Sequence, residues 1–167
     1  ENRSYAADGS VVWHFDGNMS VLTIPSPFVV DDLLYITSGY FQDIKRPVFA
    51  IKPGAKGDIT LADGESSNEF IAWSLDRMGP YNTTPIVYRG LYFTCLDRGM
   101  ITCHDAISGE LVYNRKRFPQ GTSFTASPWA YNGKVFFLDE QGTTHVMPVG
   151  REFTIEHKNV LDELTIA

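Results

Sequence analysis

Short apolar runs, each bounded by Gly, Pro, Asn or Asp, recur along the whole chain. In the clearest stretch, the run Leu91–Leu96 follows the turn pair Arg89-Gly90, and a second run, Met100–Asp105, begins after the turn at 97–99. Short apolar and aromatic runs between turn residues are typical of β-strands rather than helices. The pattern therefore predicts an all-β fold built from short antiparallel strands.

The same order of features occurs three times: Ser/Thr-Pro, an apolar pair, a turn, an aromatic-rich strand, a second turn and another strand. The Ser/Thr-Pro starts fall at positions 26, 84 and 127, so the spacings are 58 and 43 residues, and the longer spacing contains a Gly- and acid-rich insertion at 53–69. Repeats of about 40–45 residues are typical of four-stranded propeller blades. Proline at the start of each unit suits an edge strand, which needs fewer ladder donors.

The repeat predicts a fragment of a β-propeller with about three four-stranded antiparallel blades and partial blades at both ends. Residues 1–25 are expected to hold the last strand of a preceding blade and a connector. The blades are expected at 26–83, 84–126 and 127–164, with 165–167 starting a following blade. The second strand of each blade is predicted at 33–38, 91–96 and 134–139. Because an open set of blades exposes apolar faces and strand edges, self-association is expected.

The charge balance disfavours nucleic acid as a partner. The 167 residues carry 14 basic and 20 acidic side chains, for a net charge of −6, whereas binding to a phosphate backbone relies on clustered Lys and Arg. No apolar run approaches the roughly 20 residues that a membrane-spanning helix needs, so no transmembrane segment is expected.

Candidate catalytic and metal-binding groups lack the spacing that their chemistry requires. Cys95 and Cys103 form no CxxC pair and are too few for a disulfide framework, and the sequence leaves open whether they pair with each other. Asp58, Asp63 and Glu65 in the insertion match no calcium loop, so the insertion is expected to be a solvated acidic surface loop. No catalytic, cofactor-binding or metal-binding residue is predicted.

The four histidines show no HxH or HExxH spacing, and each is expected to be a half-buried strand residue. They are His14, His104, His145 and His157.

Two segments resemble a known repeat. The stretch 104–113, HDAISGELVY, is similar to the second half of the PQQ-type propeller repeat, with Tyr113 where Trp is usual, and the stretch 50–60, AIKPGAKGDIT, resembles a segment of BamB-like bacterial proteins. The resemblance implies a PQQ-like β-propeller. It also implies one of two roles: a periplasmic, lipid-anchored scaffold for outer-membrane protein assembly, as in BamB, or a quinoprotein dehydrogenase that holds PQQ and calcium in its central funnel.

The adjacent cysteine pair that the dehydrogenase role implies is absent from this sequence. We therefore predict a non-catalytic, extracytoplasmic protein-binding scaffold without a cofactor. The alternatives are part of a PQQ- and calcium-dependent dehydrogenase, or a carbohydrate-binding propeller. Location in the periplasm or secretion is expected, with any membrane anchor upstream. Loops on a rigid scaffold usually carry binding, and the candidate partner-binding loop residues are Tyr40, Phe41, Tyr81 and Phe118.

Overall fold

A computed structural model describes residues 1–119 and 123–166. Ala167, the last residue of the predicted start of a following blade at 165–167, lies outside them. Within the described residues the chain contains fifteen strands and no helix. It divides into two compact units, Glu1–Gly79 and Pro80–Ala167, which are described separately.

The first unit contains two sheets. The first sheet has the order β1-β2-β6 and the second has the order β3-β4-β5-β7. The strands of this unit are β1 (Asn2–Tyr5), β2 (Val11–Phe15), β3 (Phe28–Val30), β4 (Leu33–Thr37), β5 (Val48–Ile51), β6 (Gly57–Asp58) and β7 (Ile71–Leu75).

The second unit contains two further four-stranded sheets, with orders β11-β10-β9-β8 and β12-β13-β14-β15. Each is a meander in which consecutive strands pair antiparallel. Its strands are β8 (Ile86–Tyr88), β9 (Leu91–Leu96), β10 (Met100–Asp105), β11 (Leu111–Arg117), β12 (Trp129–Tyr131), β13 (Lys134–Leu138), β14 (Thr143–Pro148) and β15 (His157–Val160).

The three predicted second strands are confirmed. Strands β4, β9 and β13 lie at the second position of the three four-stranded sheets, and each differs from its predicted range by one residue at most. The turn before each of them has two residues with positive φ: Asp31-Asp32, Arg89-Gly90 and Asn132-Gly133. This is the geometry of the two-residue turn that matches the twist of a β-hairpin, and its recurrence shows that the three sheets are structural repeats.

The insertion at 53–69 differs from the expected solvated loop. Its residues Gly57–Asp58 form β6, which pairs parallel with β2, and Ile59 N donates to His14 O at 2.9 Å. Ala55 and Ile59 are buried. The insertion therefore completes the first sheet, because two apolar side chains anchor its base against β2.

Each unit has its own hydrophobic core between its two sheets. In the first unit this core contains the buried side chains of Trp13, Phe15, Ile36, Phe49, Ile51, Ala55, Ile59 and Ile71. In the second unit the core contains those of Leu91, Phe93, Cys95, Ile101, Cys103, Tyr113, Phe118, Phe124, Val135, Phe137 and Met147. A sheet with one apolar face must bury that face against another element, and two sheets packed over a shared apolar layer do so.

Candidate protein-binding surface

Two loops of the first unit are joined through the buried Ser20. The first loop, 18–25, precedes β3, and the second, 38–47, connects β4 to β5. Ser20 N donates to the Ser38 hydroxyl at 2.8 Å, the Ser20 hydroxyl donates to Lys45 O at 3.3 Å, and Tyr40 N donates to the Ser20 hydroxyl at 3.1 Å. Because one side chain with 7% exposure serves both loops, neither can move far without breaking a buried hydrogen bond.

Asp43 makes a second connection between the two loops. Its amide donates to Tyr40 O at 2.9 Å and closes a tight turn, and its carboxylate accepts from Val21 N at 3.2 Å. Thr23 Oγ1 also donates to Ser20 O at 3.4 Å within the first loop. These contacts hold the backbone of both loops in one arrangement.

Large apolar side chains project from the joined loops into solvent. Val21 is 88% exposed and Ile44 is 76% exposed, and Phe41 packs against Tyr40 with ring centroids 4.8 Å apart. We call these residues the paired-loop patch: Val21, Leu22, Ile24, Tyr40, Phe41 and Ile44. Clustered apolar exposure of this kind marks interaction sites on soluble proteins.

A cleft of about 250 Å³ adjoins this patch. Its carboxylates come from Asp16, Asp63, Glu65 and Asp76, and Lys45 Nζ lies 3.6 Å from the Asp76 carboxylate. We call it the acidic cleft. Its full lining is Asp16, Gly17, Asn18, Lys45, Phe49, Leu61, Ala62, Asp63, Gly64, Glu65, Ser66, Ser74 and Asp76.

Two of the four predicted loop residues, Tyr40 and Phe41, lie together in the paired-loop patch. Tyr81 belongs to the second unit, where its amide donates to Asp97 Oδ1 at 3.3 Å and its side chain is half-buried. Nothing in the structure tests a binding role for Tyr81, which stays a prediction.

The expectation that Phe118 is an exposed loop residue is wrong. Phe118 is fully buried, and its ring stacks on His145 with centroids 4.4 Å apart. Its amide donates to Gly99 O at 3.1 Å. The chain therefore turns inward directly after the basic end of β11, and this aromatic side chain fills the core of the second unit.

A buried Asp–His pair also lies in the second unit. The Asp139 Oδ2 atom is 2.8 Å from His145 Nε2, and Asp139 Oδ1 accepts from the amides of Gln141 and Thr143 at 3.0 and 2.9 Å. The two paired side chains are 1% and 0% exposed. The pair closes the turn between β13 and β14. Because no substrate can reach groups buried to this extent, its role is structural.

The half-buried position expected for the histidines holds for one of the four. His14 is intermediate, His157 is exposed, and His104 and His145 are buried. Burial lowers the pKa of His104, because charge is disfavoured away from water.

Both cysteines are buried free thiols on the core face of the second unit. Cys95 is opposite Ile101 and Cys103 is opposite Phe93, so the two are offset along their strands and are not direct cross-strand partners. Burial raises the pKa of Cys95 well above the ordinary thiol value and raises the pKa of Cys103 to about 12. Neither thiol is a nucleophile at neutral pH, since the thiolate is the reactive form.

Residues 1–119 and 123–166 hold no group of three or more His, Cys, Asp or Glu side chains arranged to bind a metal ion. No helix in this part is long and apolar enough to cross a membrane.

No family model and no curated protein matches the sequence. Solved structures do match. BamB from Moraxella catarrhalis superposes with a TM-score of 0.62 at 14% identity, over 90% of this chain and 40% of that chain. The chain has the fold of part of a β-propeller. The all-β propeller prediction and the resemblance noted in the sequence are therefore confirmed at the level of the fold.

Two further solved structures show the same likeness. Quinohemoprotein alcohol dehydrogenase from Comamonas testosteroni matches with a TM-score of 0.56 at 17% identity, over 83% of this chain and 21% of that chain. The computationally designed Ika8 protein matches with a TM-score of 0.53 at 15% identity, over 84% of this chain and 37% of that chain. This chain thus spans two fifths or less of the length of these three proteins. A fold shared by a BamB, an alcohol dehydrogenase and a designed protein does not by itself assign an activity.

Proposed function

We propose that this chain is a non-catalytic, extracytoplasmic propeller module that binds a protein partner through the paired-loop patch. The observation that carries the proposal is the exposure of Val21, Phe41 and Ile44 on two loops that hydrogen bonds of the buried Ser20 hold together. An exposed apolar side chain gains about 1.5–3 kcal/mol when a partner buries it fully. A preformed loop also loses little conformational freedom on binding.

The BamB likeness supports a protein-binding role, and the resemblance of the 50–60 segment to BamB-like proteins supports location in the periplasm. We propose that binding needs no PQQ, calcium or other cofactor. The alternative, part of a quinoprotein dehydrogenase, shares the fold with the Comamonas enzyme. Calorimetry with PQQ and calcium distinguishes the two, because a stoichiometric, calcium-dependent PQQ site would favour the dehydrogenase.

Selection of a phage-displayed random-peptide library on the purified chain tests the patch directly. The enriched peptides are then measured against the double variant Val21→Ser/Ile44→Ser. The matched control is Val29→Ser, because Val29 is a 66% exposed valine on β3, outside the patch. All three side chains are on the surface, so stability should change by no more than about 0.5 kcal/mol per substitution, which thermal unfolding verifies.

We expect enriched peptides that bind the wild-type chain and the Val29→Ser variant equally well. The same peptides should bind the double variant at least about tenfold more weakly, a loss of about 1.4 kcal/mol in binding free energy. Failure to enrich any peptide, or equal binding to the double variant, would show that the patch is not a protein-binding surface.

A further inference from the structure

We propose that the partner segment carries a Lys or Arg side chain next to its apolar residues, and that the acidic cleft receives this basic group while the paired-loop patch buries the apolar ones. The inference rests on the proposed function, since it names the chemistry of the protein segment that the patch would bind.

The patch and part of the cleft are supplied by neighbouring residues of the same two loops. Ile44 of the patch is followed directly by Lys45, which lines the cleft. Asn18 lines the cleft, has a positive φ of 48°, and lies two residues before Ser20, where the loops are joined. A single extended segment can therefore contact both regions, because adjacent residues of the chain supply the two linings.

The lining of the cleft suits a long basic side chain. Phe49 and Leu61 supply apolar surface, and the carboxylates of Asp63 and Glu65 belong to the exposed turn at the tip of the insertion. Lysine and arginine bury their methylene stems along apolar surface and keep the charged head near water and counter-charges. The cleft offers both environments within one cavity.

The charge of the cleft is only partly compensated by the protein. Four carboxylates face one ammonium group, that of Lys45, and the Lys45–Asp76 pair is exposed, with side chains 50% and 73% accessible. An exposed ion pair of this kind contributes little and exchanges readily. The whole first unit carries 11 acidic and 6 basic side chains, so its field attracts a basic segment before contact.

A protein segment fits these observations better than a free cation. A metal ion or small polyamine would use the carboxylates alone and would leave Val21, Phe41 and Ile44 exposed. A segment with adjacent basic and apolar residues uses both regions, which is why the proposal commits to that occupant.

Fluorescence anisotropy with three synthetic peptides tests the inference. The first peptide has an Arg-Lys pair next to Leu and Phe, the second has Gln-Gln in place of the basic pair, and the third has Glu-Glu. The protein variants are Asp63→Asn/Glu65→Gln, Val21→Ser/Ile44→Ser, and the matched control Glu69→Gln, which changes an exposed carboxylate of the same insertion outside the cleft.

The basic peptide should bind most tightly and the acidic one most weakly, with a preference that shrinks as salt is added. In the Asp63→Asn/Glu65→Gln variant, each neutralised carboxylate should weaken binding of the basic peptide by about two- to fivefold and leave binding of the Gln-Gln peptide unchanged. The Glu69→Gln variant should behave as wild type. The Val21→Ser/Ile44→Ser variant should weaken the basic and Gln-Gln peptides alike.

The remaining outcomes separate the two proposals. If the patch variant weakens all three peptides but neutralising Asp63 and Glu65 leaves the preference for the basic peptide intact, the patch binds protein and the inference about the cleft is overturned. If spermine competes for the cleft as well as the basic peptide does, the cleft is a polycation site and the inference is equally overturned. If no peptide binds, or the patch variant changes nothing, the proposed function itself fails.

Discussion

Removing the Asp139 carboxylate should be the most damaging single polar substitution in the second unit. Asp139→Ala takes the acceptor from two backbone amides and from His145 Nε2, all within 3.0 Å and all at a residue that is 1% exposed. A hydrogen bond to a charged group contributes about 1.5–3 kcal/mol, and the buried donors left behind lose their compensation. Because Gln141 is exposed and water can reach its amide, the three losses are not additive, and we expect about 3–5 kcal/mol in total.

The conservative variant Asp139→Asn separates the contribution of the turn hydrogen bonds to stability from that of the contact with His145. Its amide oxygen can still accept from the amides of Gln141 and Thr143, so only the contact with His145 Nε2 is changed, and we expect about 1–2 kcal/mol. Thermal unfolding followed by circular dichroism should show a fall in Tm of about 6–20 °C for the alanine variant, at about 2–4 °C per kcal/mol.

Hydrogen exchange measured by mass spectrometry should localise the loss to 134–148, the hairpin that the carboxylate closes. The exposed Asp162→Ala is the control. A fall in Tm below about 3 °C for Asp139→Ala, or equal effects of Ala and Asn, would refute the role of this carboxylate as the organiser of the turn.

Three further perturbations have definite expected outcomes. Gly142→Ala should destabilise by at least about 1–2 kcal/mol in chemical denaturation, since Gly142 has φ +81° and an added Cβ would overlap two backbone carbonyl oxygens, whereas Gly150→Ala, with open space around it, should be near neutral. Wild-type stability should fall as pH drops below about 6.5, because the lowered pKa of His104 disfavours its charged form in the folded state; His104→Leu should flatten that slope in denaturation curves at several pH values. Cys95 and Cys103 should react with a thiol reagent only after denaturation, since burial raises the pKa of each, and rapid labelling of the native chain would contradict their placement.

The repeat could be predicted from the sequence because its determinants are local. Asn132-Gly133 and Arg89-Gly90 occupy the positive-φ positions of tight hairpin turns, and the apolar runs after them are the second strands. Even Asp31-Asp32, which lacks a glycine, adopts the same turn, since Asp tolerates the left-handed region better than most residues. Such signals depend on neighbouring residues only, so they can be recognised in the sequence without knowledge of tertiary contacts.

Features that depend on distant contacts could not be predicted. Strand β1 (Asn2–Tyr5) has no apolar alternation and is extended because it pairs with β2. Phe118, between a basic run and Pro119, has the sequence context of a surface loop but is buried where the chain returns over the core. One sequence feature indicates the exposed aliphatic residues of the paired-loop patch: the run Val21-Leu22, with Ile24, lies in a connector that forms no strand. The hydrogen bonds of the buried Ser20 and of Asp43 show that this connector is a fixed surface.

The insertion at 53–69 connects the architecture to the candidate site. Gly57–Asp58 at its base complete the first sheet between the buried Ala55 and Ile59, while Asp63 and Glu65 at its tip line the acidic cleft. Asn68 holds the returning chain, because its side-chain amide donates to Ile59 O at 3.0 Å and its Oδ1 accepts from Ile71 N at 2.7 Å. The buried base of the insertion therefore fixes the position of the tip that carries Asp63 and Glu65. Insertions into repeat proteins fall in loops on one face, which is often the binding face, so the lengthened first spacing is itself a sequence signal for the proposed binding surface.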